Sequence, residues 1–131
     1  MMFFKDLEVK DISDMPILSL AYIGDAVYEL YVREHLFAKG NFLPNALHLN
    51  TVKKVNAASQ KASLVKIIPL LDEHEINYVH RGRNAKSKSK PKNADAADHN
   101  HATSLEALIG YLYVSKKYER LDYLLGIMLE D

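Results

Sequence analysis

Apolar residues recur at helical spacing along most of the chain. Ile17, Leu20, Ala21, Gly24, Val27, Tyr28 and Tyr31 fall three or four apart, which marks one buried face of a helix. Ser13 and Asp14 offer N-caps and Pro16 suits a first turn. The spacing therefore predicts a helix from there to about Ala38, with Gly40 as its stop. Pro44-Asn45 opens a second helical stretch, in which Leu47, Val52, Val55, Ala58, Ala62 and Val65 form an apolar stripe and Pro69 breaks the pattern. Asp72-Glu73-His74-Glu75 has the spacing of a capping box, so a short helix is expected from there to about Arg81. Helix resumes near Thr103, carrying Leu105, Leu108, Ile109, Leu112 and Tyr113, and a last helix runs from about Tyr118 to Leu129. Tyr22, Tyr28, Tyr31, Tyr111 and Tyr113 sit at core spacing, and packing is expected of them. No strand pattern and no internal repeat emerge, so the expected class is all-α.

The length of 131 residues accommodates one domain, expected to span 1–131. No cysteine is present, which excludes a disulfide framework, a zinc-thiolate site and a thiol nucleophile. The N-terminus lacks the pattern of a signal peptide, and no apolar run is long enough to span a bilayer. A cytoplasmic protein without membrane contact is expected. The formal net charge is +0, but the average conceals a segregation. Arg81, Arg83, Lys86, Lys88, Lys90 and Lys92 follow one another with no acid between them, and acids gather elsewhere, as at Asp72-Glu73-His74-Glu75. Local field rather than net charge steers a polyanion. The Lys/Ser-rich stretch at about 84–94 reads as an exposed, flexible basic loop. Its cations either keep the loop soluble or, with Asn84, contact phosphates. Little aromatic interleaving argues for the backbone of a duplex over stacked single-stranded bases.

Two acids sit in unusual settings. Asp25 follows Gly24 in the apolar run from Leu18 to Val27. A mid-helix glycine costs about 1 kcal/mol relative to alanine, and a lone buried carboxylate is costly. Close approach of another helix would account for the glycine, and a metal ion for the aspartate. The bland alternative is that Asp25 faces solvent. Glu106 lies in Leu105-Glu106-Ala107-Leu108-Ile109-Gly110. Thr103 three residues earlier makes a capping box the competing explanation. Two carboxylates from distant helices would form an oxygen-ligand site for Mg²⁺, or for Mn²⁺ in its place. The stretch Asp95, Asp98, His99, His101 matches no zinc spacing. No Gly-rich phosphate loop is present, and no organic cofactor is expected.

Three blocks carry a resemblance. Leu20-Ala21-Tyr22-Ile23-Gly24-Asp25-Ala26-Val27-Tyr28-Glu29 resembles the signature helix of the ribonuclease III catalytic domain. Arg81-Gly82-Arg83-Asn84-Ala85-Lys86 and Leu105-Glu106-Ala107-Leu108-Ile109-Gly110-Tyr111-Leu112 complete the match in order, from about Asp14 to the end. Order and length are similar to the short Mini form of the family, which lacks a separate double-stranded-RNA-binding domain. The resemblance implies a helical bundle that is homodimeric and a metal-dependent endoribonuclease for double-stranded RNA. It also implies a role in maturation of large-subunit (23S) ribosomal RNA. Asp25 and Glu106 take the places of the catalytic acids. The small residues Ala21, Gly24 and Ala26 mark the first helix as the expected dimer face. Fuller members carry further acids where this chain has Leu18, Ala21 and Thr103, so its centre is poorer in carboxylates. The alternative is a non-catalytic RNA-binding or ribosome-associated module of the same fold. A helical nucleotide phosphohydrolase is disfavoured by the lack of any His-Asp dipeptide.

Overall fold

The computed structural model describes residues 9–40, 42–85 and 96–130, with the backbone alone at 96–98. The described residues form six α-helices: α1 (Ile17–Ala38), α2 (Pro44–Val55), α3 (Ala57–Ile67), α4 (Glu73–Arg83), α5 (Ala96–Val114) and α6 (Tyr118–Met128). No strand occurs among the described residues, and none of the helices is long and apolar enough to cross a membrane. Short 3-10 turns precede α1 at Ile12–Asp14 and follow α3 at Ile68–Leu70.

Local chemistry sets most of the boundaries. Pro16 leads into α1, while Ser13 and Asp14 sit in the preceding 3-10 turn and do not cap it as expected. Gly40, at φ +91°, takes the left-handed conformation that ends α1. The stretch expected to be one helix before Pro69 is two. Asn56 turns extended, and its Oδ1 accepts from Ser59 N at 2.9 Å as the cap of α3. That break shifts the register. Val52, Ala58, Ala62 and Val65 of the expected apolar stripe are exposed, whereas α3 buries Gln60, Ser63, Leu64 and Ile67.

The capping box of α4 forms as expected. Asp72 Oδ1 accepts from Glu75 N at 2.8 Å, and Asp72 N donates to Glu75 Oε1 at 2.9 Å. Glu75 is buried and receives two further bonds from Arg120 of α6, each 2.8 Å, while Arg120 Nη2 also donates to the Leu70 carbonyl. A buried charge needs such complete pairing, and here the pairing fastens α4 to α6.

Helix α5 is the pillar of the bundle. From Ala102 to Leu112 every residue is buried except Glu106, as befits a helix wrapped by others on all sides. It starts at Ala96, a full two turns before the expected position near Thr103. The Thr103 hydroxyl donates to the His99 carbonyl at 3.0 Å, one turn back inside the helix. Thr103 and Glu106 therefore form no capping box, and Glu106 is a mid-helix residue.

Contact between α1 and α5 is closer than side chains permit. A Cβ on Gly24 would overlap the Glu106 carbonyl oxygen and lie 2.8 Å from Gly110 N. A Cβ on Gly110 would overlap the Leu20 carbonyl oxygen. Gly82 does the same for α4, where a Cβ would lie 2.7 Å from Ser104 Cα. Alanine in a helix ordinarily stabilises by about 1 kcal/mol over glycine. For Gly24→Ala and Gly110→Ala the expected result is instead a loss of at least about 2 kcal/mol from forced separation of the helices. Gly126→Ala on α6, where a Cβ meets nothing within 4 Å, should be neutral or stabilising. Urea unfolding of the three variants checks the contrast.

Candidate active site

The glycine contact determines which side chains meet. Asp25 follows Gly24 on α1, and Glu106 supplies the carbonyl that Gly24 touches on α5. Their carboxyl groups come within hydrogen-bonding contact. Asp25 is exposed, and Glu106 is half-buried at the one opening in the sealed stretch of α5. The solvent-facing alternative weighed for Asp25 describes its exposure, and its carboxyl lies against a second acid.

Burial pushes the Glu106 carboxyl up to about 8, reinforced by the Asp25 carboxyl beside it and opposed by a hydrogen bond from Gln60. Ionised, the two would repel one another, and Glu106 would be poorly hydrated. Gln60 comes from α3, so three helices converge on Glu106. Sequence reading did not single out Gln60. The spacing Gln60, Ser63, Leu64, Ile67 marks it as inward-facing once the helix break at Asn56 is known.

The donor set suits a hard cation. Two carboxylates with one side open to solvent match the way Mg²⁺ is held, through one or two carboxylates with water and phosphate oxygens completing the shell. Among the described residues no group of three or more His, Cys, Asp or Glu side chains is placed to hold a metal. Ala21 is buried, Leu18 is exposed, and Thr103 is bonded within its helix, so none of these positions adds a ligand.

The basic residues divide. Gly82 presses on Ser104 and Ala107, so the end of α4 is seated on the stretch of α5 that carries Glu106. Arg83 and Asn84 are exposed there. Arg81 is half-buried. Its Nη2 donates to the Met15 carbonyl at 2.9 Å, and its guanidinium lies 5.2 Å from the Tyr78 ring centre. Arg81 thus ties α4 to the segment before α1. Lys86, Lys88, Lys90 and Lys92, and with them most of the expected flexible loop, lie outside the described residues. One turn beyond Asp25 and Gln60, a cleft is lined by Tyr28, Ser63, Lys39, Lys53, Lys54 and Lys66.

The expected dimer face needs correction in its basis. Ala21 and Gly24 are buried within the chain, and Gly24 is what lets α1 touch α5, while Ala26 is exposed. Tyr22, expected in the core, is 82% exposed, and Leu18 is 40% exposed on the same side of α1.

Known proteins share this arrangement. The family model of the Ribonuclease III domain matches residues 18–117. Mini-ribonuclease 3 of Brevibacillus brevis is 54% identical over 104 residues, covering 79% of this chain and 78% of that protein. Mini-ribonuclease 3 of Symbiobacterium thermophilum is 46% identical over 111 residues, covering 85% of each. A crystal structure of a protein from Fusobacterium nucleatum superimposes with a TM-score of 0.81 at 34% identity, over 92% of this chain and 97% of that one. A helical bundle whose central crossing sets two acids side by side, matched along most of its length by these relatives, belongs to the ribonuclease III family of endoribonucleases, in its Mini-ribonuclease 3 branch.

Proposed function

We propose that this chain cleaves double-stranded RNA as a cytoplasmic homodimer, with a divalent cation held by Asp25 and Glu106. Mg²⁺ is the expected ion and Mn²⁺ an effective substitute. The observation that carries the proposal is the pair of carboxylates meeting at the single gap in a sealed helix. A Glu106 carboxyl raised by burial and by the acid beside it is relieved by a cation, which favours its ionised form. When bound, the ion supplies an activated water and offsets charge on the phosphate under attack. Asp25 reaches outward to the substrate side, and Glu106 is fixed from behind by Gln60. Arg83, Asn84 and the lysines at 86–92 grip the duplex backbone. Arg81 helps by holding the end of α4 in place. The sequence resemblance favours a precursor of 23S ribosomal RNA as substrate.

Dimerisation is supported by the outer face of α1. Tyr22 and Leu18, one turn apart and close to Asp25, are more exposed than apolar side chains on a bundle helix need be. A two-fold axis there would bring two acidic centres to one duplex.

A labelled RNA duplex should be cut by the wild type with Mg²⁺ and not with chelator. Asp25→Asn and Glu106→Gln should bind it and fail to cut, with losses of about 100-fold or more. Binding without cutting by the wild type, under any divalent ion, would instead favour a non-catalytic RNA-binding module. In sedimentation, the wild type should run as a dimer and Tyr22→Lys as a monomer; two identical profiles would remove α1 from the interface.

Stability should also depend on pH in a defined direction. Without metal, folding holds a proton on Glu106 that the unfolded chain releases above about 4.5. The folded state is therefore favoured below that pH and loses stability as pH rises toward about 8. Glu106→Gln should flatten this decline in thermal melts, and Mg²⁺ at pH 8 should raise the Tm of wild type only. Parallel pH profiles for the two proteins would count against a strained carboxylate.

A further inference from the structure

Gln60 is 4% exposed. An amide buried that deeply is tolerated when its two donors and its acceptor are matched. The donors are. Nε2 donates to the Val55 carbonyl at 2.8 Å, and the amide hydrogen-bonds the Glu106 carboxylate. Both partners are acceptors, so the nitrogen end of the amide must face them; rotating it by half a turn would set oxygen against oxygen. Oε1 is then left buried with no hydrogen-bond partner among the described residues. An unmatched carbonyl carries a desolvation cost that an apolar side chain of the same size would avoid. With the acids ionised around a bound cation, the neighbouring carboxylates cannot satisfy it, since an ionised carboxylate only accepts. A water can, because it donates.

We propose that Gln60 is a positioning residue of the acidic centre, clamping Glu106 through its amide N–H and orienting a water of the divalent-cation site through Oε1. This rests on Asp25 and Glu106 holding a cation and adds a neutral third member from α3. The residue touches neither substrate nor scissile bond. It acts by fixing the direction of one carboxylate and one water, as the outer partners of metal ligands commonly do. It also explains why the inward face of α3 carries an amide at a position where Leu64 and Ile67 continue the core.

Mn²⁺ serves as probe, its affinity measured by titration calorimetry and by the electron paramagnetic resonance of the free ion. The proteins are wild type, Gln60→Leu and Gln60→Met, the last keeping the unbranched shape in case leucine disturbs folding. Urea unfolding without metal tests the fold, and duplex cleavage gives kcat and KM separately. The expected result is a Mn²⁺ affinity about 10-fold weaker in the folded variants. A kcat lower by about the same factor or more should accompany it, with KM for RNA unchanged. Variants that are less stable yet keep wild-type Mn²⁺ affinity and kcat would show a purely structural glutamine and overturn the proposal. A wild type that binds no Mn²⁺ would overturn the cation site itself, and the role of Gln60 with it.

Discussion

Everything at the candidate site depends on two helices touching backbone to backbone. Gly24 against the Glu106 carbonyl, and Gly110 against the Leu20 carbonyl, bring α1 and α5 closer than any side chain allows. At an ordinary helix separation the short aspartate side chain would not meet a glutamate on the facing helix. The same contact buries Glu106 partly and leaves Asp25 outside. One acid is thereby held by the core while the other faces solvent. Rigid placement by packing is what a site needs if its geometry is to survive substrate binding.

The remaining elements secure that crossing. Gly82 seats the end of α4 on the stretch of α5 that carries Glu106, and Arg81 pins the same end to the Met15 carbonyl. The Glu75–Arg120 pair fastens the start of α4 to α6. Helix α3 approaches from another side with Gln60, which is why a core-facing position holds an amide. The electrostatic consequence is a carboxyl raised to about 8 in the absence of a cation. In the proposed function, cation binding and ionisation of Glu106 are coupled, and filling the site would remove the cost of the arrangement.

Features governed by a few adjacent residues were legible in the sequence. The stop at Gly40 and the capping box at Asp72 and Glu75 are examples, because each depends on one backbone conformation or one local hydrogen bond. So was the oddity of a Gly-Asp pair in an apolar run, whose first half is explained by close helix approach. The break at Asn56 was missed because apolar residues continue on both sides of it, although Asn56 with Ser59 three residues on forms a cap. The first two turns of α5 were missed because Ala96 to Ala102 is polar or small and shows no apolar stripe. Gln60 was invisible since its burial follows from tertiary contact with Glu106 and not from its own neighbours. Tyr22 misled for the opposite reason. Its spacing is that of a core residue, but it lies on the outer face of α1, where it is 82% exposed.

The most direct measurement is anomalous diffraction from crystals of the protein soaked in Mn²⁺. A peak between the Asp25 and Glu106 carboxylates, lost on addition of chelator, is the result expected. Crystals in which Mn²⁺ binds elsewhere, or in which the two carboxylates stay in contact with no ion between them at saturating Mn²⁺, would contradict the account.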